Sequence, residues 1–454
     1  MKLPEITRAV AEFVANTPAS AIPDHVRRVA VNTLIDTYAT TRAGVVDEAS
    51  KVFQRAVPQW AGRGRSRIVG TDLEVDPASA AMANGVTSHC LDYDTISCAV
   101  SGFVGSAAST ALAAWIETEG AQRGEDVVTS YILGWEASAA IARGVNIWHY
   151  AHGWHPTATL SHFSASLAVA RLIGMSADQV AMVIGAATSE ASGIKTMIGN
   201  MLNPFHVGKA ARNGLNDVHL VRSGFIASST ALESDQGFLR VFNGDGNYDA
   251  NAIVDSLGRT WDLAGPGPIF KVYPCCGLIL GGLDGALELR TVHGIEPGEI
   301  EEIRVLVHEY VPRVMHVDVP DHGYAAKFSI PYTMAAAFYD GRVNLATFDR
   351  VEPAIVELGR WVRPEVHPKL YGEETFMEKE FTEVEVKTAR GRFGVHIDRM
   401  HNRGTGDNFH VEDLQAKLAD CLRHGRSHLN AEDEWRRLSG LDSSRLFDLW
   451  GGSH

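Results

Sequence analysis

Ten residues, Tyr150-Ala151-His152-Gly153-Trp154-His155-Pro156-Thr157-Ala158-Thr159, crowd a phenol, two imidazoles, an indole and two hydroxyls together, with His149 adjoining. An imidazole exchanges protons near neutral pH and a phenol can donate one to a developing anion, so Tyr150 and His155 are candidates for acid–base chemistry. His149, His152 and His155 are spaced three apart, and on a helix they could instead hold a metal or hydrogen-bond backbone at a helix start. Gly153 and Pro156 weaken that helix and no carboxylate lies close in sequence, so no metal is expected.

Far downstream, Lys271-Val272-Tyr273-Pro274-Cys275-Cys276 places a lysine in an apolar, proline-braced segment. A lysine held in apolar surroundings near another cation can be neutral at pH 7 and abstract a proton next to a carboxylate; alternatively its stem covers apolar surface and its head stays wet. Leu91-Asp92-Tyr93-Asp94 reads as a cap or turn, or as a carboxylate that orients a histidine or binds substrate. In Pro204-Phe205-His206-Val207-Gly208-Lys209-Ala210-Ala211-Arg212-Asn213-Gly214, His206 and Arg212 at a helix start would suit a carboxylate. The other reading is close helix packing through Gly208, Ala210 and Ala211, and no GKS or GKT ending supports a phosphate loop. Cys275 and Cys276 read as packed thiols, and Lys327 in Ala326-Lys327-Phe328-Ser329 as a lysine pairing across a domain boundary.

Positioning these groups requires a large scaffold. At 454 residues the chain exceeds the roughly 250 to 300 at which single cores stop growing, so two domains are expected. Ile6, Val10, Phe13 and Val14 share one helical face, Val26, Ala30, Leu34 and Tyr38 line another, and Ser176 to Gln179 has the capping-box pattern. From about Pro266 the texture changes: Ile303, Val305 and Val307 alternate as a strand, and Ala389 to Arg392 joins two further runs as a hairpin. Helical spacing returns at Val411, Leu414, Leu418 and Leu422. The expected architecture is mainly α: a helical domain over 1–265, a smaller α+β lid over 266–400, and C-terminal helices over 401–454 returning to the first domain. A net charge of -14 argues against nucleic acid, and no stretch reaches the roughly 20 apolar residues of a membrane span. Met1 to Ile6 lacks a basic segment followed by an apolar run, and five cysteines form no disulfide framework, so a cytoplasmic location is expected.

Taken in order, Leu91 to Asp94, Gly153 to Thr157, His206 to Gly214, Lys271 to Cys276 and Ala326 to Ser329 resemble the MmgE/PrpD family, which includes 2-methylcitrate dehydratase, cis-aconitate decarboxylase and iminodisuccinate epimerase. The resemblance covers nearly the whole chain. It implies an all-helical domain joined to a smaller α+β lid, homodimerisation, no metal or cofactor, and a site between the domains for a small carboxylate. By motif position it places Lys271, His155 and Asp94 in the active site, with Tyr150 resembling the tyrosine opposite the lysine in the epimerase branch. Asp92, Thr157, Tyr273, His206 and Arg212 are the candidate substrate-binding residues.

The chain also departs from that pattern. A histidine expected after the aspartate motif is Phe103, a lysine before His206 is Asn203, and a histidine closing the lysine segment is Leu280. Ala325 replaces a glutamate and Val317 a tyrosine, while Lys195 and Lys209 lie near the missing lysine. Fewer cations leave a tricarboxylate poorly paired, so the substrate is expected to carry fewer carboxylates or an apolar group. The expected activity is a lyase, a dehydratase or decarboxylase using Lys271 as base. An epimerase or isomerase with Lys271 and Tyr150 on opposite faces is the alternative, and a non-catalytic ligand-binding relative or a metal-dependent hydrolase are the more distant ones.

Overall fold

The computed structural model describes residues 5–265, 267–373, 376, 379–398 and 404–451. The fold is mainly α with two domains, and the expected elements form where their periodicity placed them. Ile6–Asn16 buries Ile6, Val10 and Val14, and Asp24–Gly44 buries Val26, Ala30, Leu34 and Tyr38. Ser176 caps Ala177–Glu190 through the reciprocal bonds with Gln179 that its sequence predicts.

The helix Pro77–His89 packs against Leu202–Arg222 at the centre of the helical part. A Cβ on Gly85 would lie 2.7 Å from the Cα of Gly208, and one on Gly208 would lie 2.3 Å from the Met82 carbonyl oxygen. Only glycine permits backbones this close. That contact accounts for the small residues of the 204–214 motif as helix packing. Ser161–Leu172, buried from Ser161 to Ala170, crosses the same helix and also packs on Gly124–Val145 and Val104–Glu119.

In the second part, Ile300–Val307 lies between the parallel strand Val362–Val366 and the antiparallel strand Phe381–Thr388. Phe381–Thr388 pairs along its other edge with Gly391–Asp398, forming the expected hairpin. The helix Leu280–His293 lies against this hairpin and Ile330–Asp340 beside that helix. The helix Val411–His424 then returns to pack on Asp24–Gly44, burying Leu414, Leu418 and Leu422. Among the described residues, no helix is long and apolar enough to cross a membrane.

Candidate active site

A partly open cavity of about 70 Å³ lies between the two parts of the fold. From the helical part its wall takes Asp92, Ser101, Phe103, Tyr150, His155 and Asn203, with Ile96 and Ile198. From the rest of the chain come Lys271, Cys276, Gly277, Leu278, Val314, Phe328 and Phe376. Tyr150, His155, Asp92 and Lys271, distant in sequence, therefore share one wall.

The segment before the cavity is pinned by three buried ammonium groups on three successive carbonyls. Lys327 donates to the carbonyls of Leu91 and Pro274, Lys271 to that of Asp92 at 2.9 Å, and Lys417 to those of Tyr93 and Lys271. Lys327 thus joins the two parts of the chain as its sequence predicts. Lys417 also pairs with Asp36 at 2.7 Å, and Asp36 accepts a hydrogen bond from Thr95. Asp92 has φ of 49°, a left-handed conformation that aspartate tolerates better than most residues. Its carboxylate and its own carbonyl both accept from the Lys271 ammonium, at 2.7 and 2.9 Å.

Lys271 is 0% exposed, yet its surroundings are not simply apolar as expected. The ammonium has a carboxylate partner in Asp92 and stands 4.8 Å from the centre of the Phe103 ring, within cation–π range. Asp94 sits behind this pair, off the cavity wall. It accepts hydrogen bonds from His89 at 2.7 Å and Ser106 at 2.5 Å. Burial pushes its pKa up, but the nearby His89, Ser106 and Lys271 more than offset this and hold it below the usual carboxylate range. The imidazole that Asp94 bonds is that of His89, which like Asp94 does not line the cavity. His89 was missed in the sequence, although it ends a helix five residues before Asp94, where a turn can fold the aspartate back onto it.

The three histidines of the 149–155 run point to different partners. His149 bonds to Asn243 and Thr159, His152 stacks on Trp148, and His155 shares a hydrogen bond of 2.8 Å with His206 through their Nδ1 atoms. Burial, with nearby cations, pushes His155 well below the usual histidine pKa, and burial takes His206 down to about 4. Both rings are therefore neutral at pH 7, one donating and the other accepting in their shared bond. His206 lies behind His155, off the wall, and Arg212 is also away from the cavity, bonded to Asn213. The pair expected to clasp a carboxylate does not converge on the cavity.

Thr157 and Tyr273 stand off the wall as well. Thr157 is fully buried and accepts a long bond from the Phe103 backbone, and the Tyr273 hydroxyl donates to Asp284. Of the five departures, Phe103 and Asn203 reach the cavity, whereas Leu280, Ala325 and Val317 do not line it. Asn203 donates to the Tyr324 hydroxyl at 3.0 Å. Lys195 does approach the site: Trp154 bridges to Ile194, which sets the Lys195 ammonium 3.7 Å over the Tyr150 ring. Burial, with Arg313 nearby, lowers Lys195 to about 8. Lys209 turns instead to Ser192.

Two family models match the chain: the MmgE/PrpD N-terminal domain over residues 8–251 and the MmgE/PrpD C-terminal domain over residues 273–438. A cis-aconitate decarboxylase of Aspergillus terreus is 26% identical over 385 residues, covering 79% of this chain and 78% of that one. The human cis-aconitate decarboxylase is 22% identical over 81% of this chain and 78% of its own, and the mouse protein 22% over 98% of each. With both family domains matched across most of its length and its motifs gathered around one cavity, this chain belongs to the MmgE/PrpD family.

Proposed function

We propose that this protein is a cofactor-independent lyase that removes a proton next to the carboxyl group of a small carboxylate. The observation that carries this reading is the Lys271–Asp92 pair, buried in a cavity wall that Tyr150 and His155 also form. Lys271 passes a proton to Asp92, 2.7 Å away, and its free amine takes the proton from the substrate carbon. In loss of water, the C–H electrons form the new double bond as the C–O bond breaks, and Tyr150 gives its proton to the departing oxygen. In loss of CO2 no C–H proton is taken: the C–C bond to the carboxylate breaks, CO2 leaves, and the carbon that keeps the electron pair takes a proton from Tyr150. The depressed pKa of His155 makes it a neutral hydrogen-bonding partner for the substrate rather than an imidazolium acid. The names of the relatives support a decarboxylase. The proposal includes a lid beginning near residue 266 and a homodimer.

The test is Lys271→Ala, followed by turnover and solvent deuterium exchange into a panel of small mono-, di- and tricarboxylates. We expect a loss of about 10² to 10⁴, and a variant within about threefold of the parent rejects the mechanism. Epimerisation, with Lys271 and Tyr150 on opposite faces of the substrate, is the second reading, because both side chains line the cavity. The products of the parent separate the two: configurational scrambling with deuterium wash-in assigns an epimerase and release of water or CO2 a lyase, and Tyr150→Phe should slow whichever is found.

A further inference from the structure

The cavity wall recognises more than a charge. Beyond Lys271, the side chains that the second part of the chain brings to it are Cys276, Leu278, Val314, Phe328 and Phe376, and Ile96, Phe103 and Ile198 extend this surface from the helical part. Among the described residues of the wall, the Lys271 ammonium is matched by Asp92 and the His155 ring is neutral, and the nearby Lys195 ammonium, off the wall, is turned onto the Tyr150 ring. Such a wall favours an apolar group taken out of water, and it offers poor pairing to several carboxylates at once. Phe103 presents its ring to Lys271, and Asn203 brings its amide to the wall. Asn203 Oδ1 and Ser101 Oγ are buried without a hydrogen-bond partner among the described residues. Both residues line the cavity and supply neutral polar groups beside the apolar ones.

We infer that the ligand of this site is a carboxylic acid with a single carboxylate and a short apolar arm. The carboxylate accepts from the Ser101 hydroxyl beside the Lys271–Asp92 pair, and the arm packs against Leu278, Val314, Phe328 and Phe376. This separates the chain from its relatives named for cis-aconitate, which is a tricarboxylate. As a statement about substrate, the inference rests on the acid–base reading above.

Titration calorimetry of the intact protein with isocaproate and with tricarballylate, both six-carbon acids, tests it. The branched monocarboxylate should bind tighter by about tenfold or more. Leu278→Asn, which places an amide in the apolar surface, should weaken isocaproate about tenfold and leave tricarballylate no weaker. Val314→Thr, nearly the same shape, serves the same purpose if Leu278→Asn does not fold. Equal or tighter binding of tricarballylate, no binding of isocaproate, or a preference untouched by the folded variant overturns the inference. Deuterium exchange on the same samples separates the two readings: a retained preference without exchange removes the chemistry alone, and exchange without the preference removes the ligand class alone.

Discussion

The two sides of the cavity are built on opposite principles. The helical side carries polar groups on loops that buried charges hold in place. The segment from Leu91 to Tyr93 is pinned by the three lysines, and the turn carrying Ser101 is tied to Asp262, which accepts hydrogen bonds from Ser97, the Ala99 backbone and Trp135. The opposite side, apart from Lys271, presents side chains fixed by packing. Phe376, for example, lies 5.5 Å from the Tyr150 ring, 5.0 Å from His308 and 5.2 Å from Tyr310. Chemistry that moves a proton needs groups held to within a fraction of an ångström, whereas recognition of an apolar arm tolerates repacking. The pinned side therefore suits reaction and the packed side suits choice of substrate.

The sharpest way to break this contrast is Lys417→Met. Removing that ammonium leaves Asp36 a buried carboxylate without its cation and frees the Tyr93 and Lys271 carbonyls, at an expected cost of about 3 to 5 kcal/mol by denaturant unfolding. Adding Asp36→Asn should restore part of the loss, because the uncompensated charge is then gone. On the packed side, Leu278→Met should cost less than about 1.5 kcal/mol. Equal losses at the two positions would mean that charge does not pin the helical side.

Lys417 also marks where sequence reading ran out. The spacing of Val411, Leu414, Leu418 and Leu422 located its helix, because burial of one face leaves a periodic trace. Nothing in that pattern shows that Lys417, between two buried leucines, points inward to the carbonyls of Tyr93 and Lys271, since a lysine on a helix ordinarily ends in water. Tyr150, His155 and Lys271 were legible because their residue types are costly to bury, and all three reach the cavity. Thr157 and Tyr273 stand off the wall, and so do His206 and Arg212, because a sequence motif fixes neighbours along the chain while the packing of Pro77–His89 on Leu202–Arg222 decides which face of that helix turns inward. Asp92 and Asp94 are two residues apart, and the left-handed turn at Asp92 sends one to Lys271 and the other to His89.

A smaller effect should come from acid. Burial takes His206 in the folded chain to about 4, below the roughly 6.5 of an exposed histidine. Between those two values the unfolded chain binds the extra proton, so His206 stabilises the fold fully above about pH 6.5 and loses that contribution as pH falls toward 4. Burial, with a neighbouring acid in each case, raises Glu136 and Asp217 to about 8, which gives the opposite slope as pH rises from about 4 to 8. The difference between parent and His206→Gln isolates the histidine. Measured by urea unfolding, it should change by about 1 to 3 kcal/mol between pH 6.5 and 4. A constant difference across that range would place a charged imidazole behind His155 and weaken the picture of a neutral histidine pair on the pinned side.

The smallest change asks whether this side keeps strain for function. Ser101 has φ of 55°, and its hydroxyl is buried without a partner among the described residues. An L-residue in this conformation costs roughly 1 to 2 kcal/mol, whereas glycine adopts it freely but loses more chain entropy on folding. Ser101→Gly should therefore stabilise the protein by about 0.5 to 1 kcal/mol. If the hydroxyl is kept for the ligand, the same change should weaken isocaproate about tenfold, the equivalent of one hydrogen bond. A gain in stability with unchanged binding would make Ser101 a feature of the turn alone. A loss of stability would mean that its hydroxyl supports the loop, so that the pinned side is held through Ser101 as well as through Asp262.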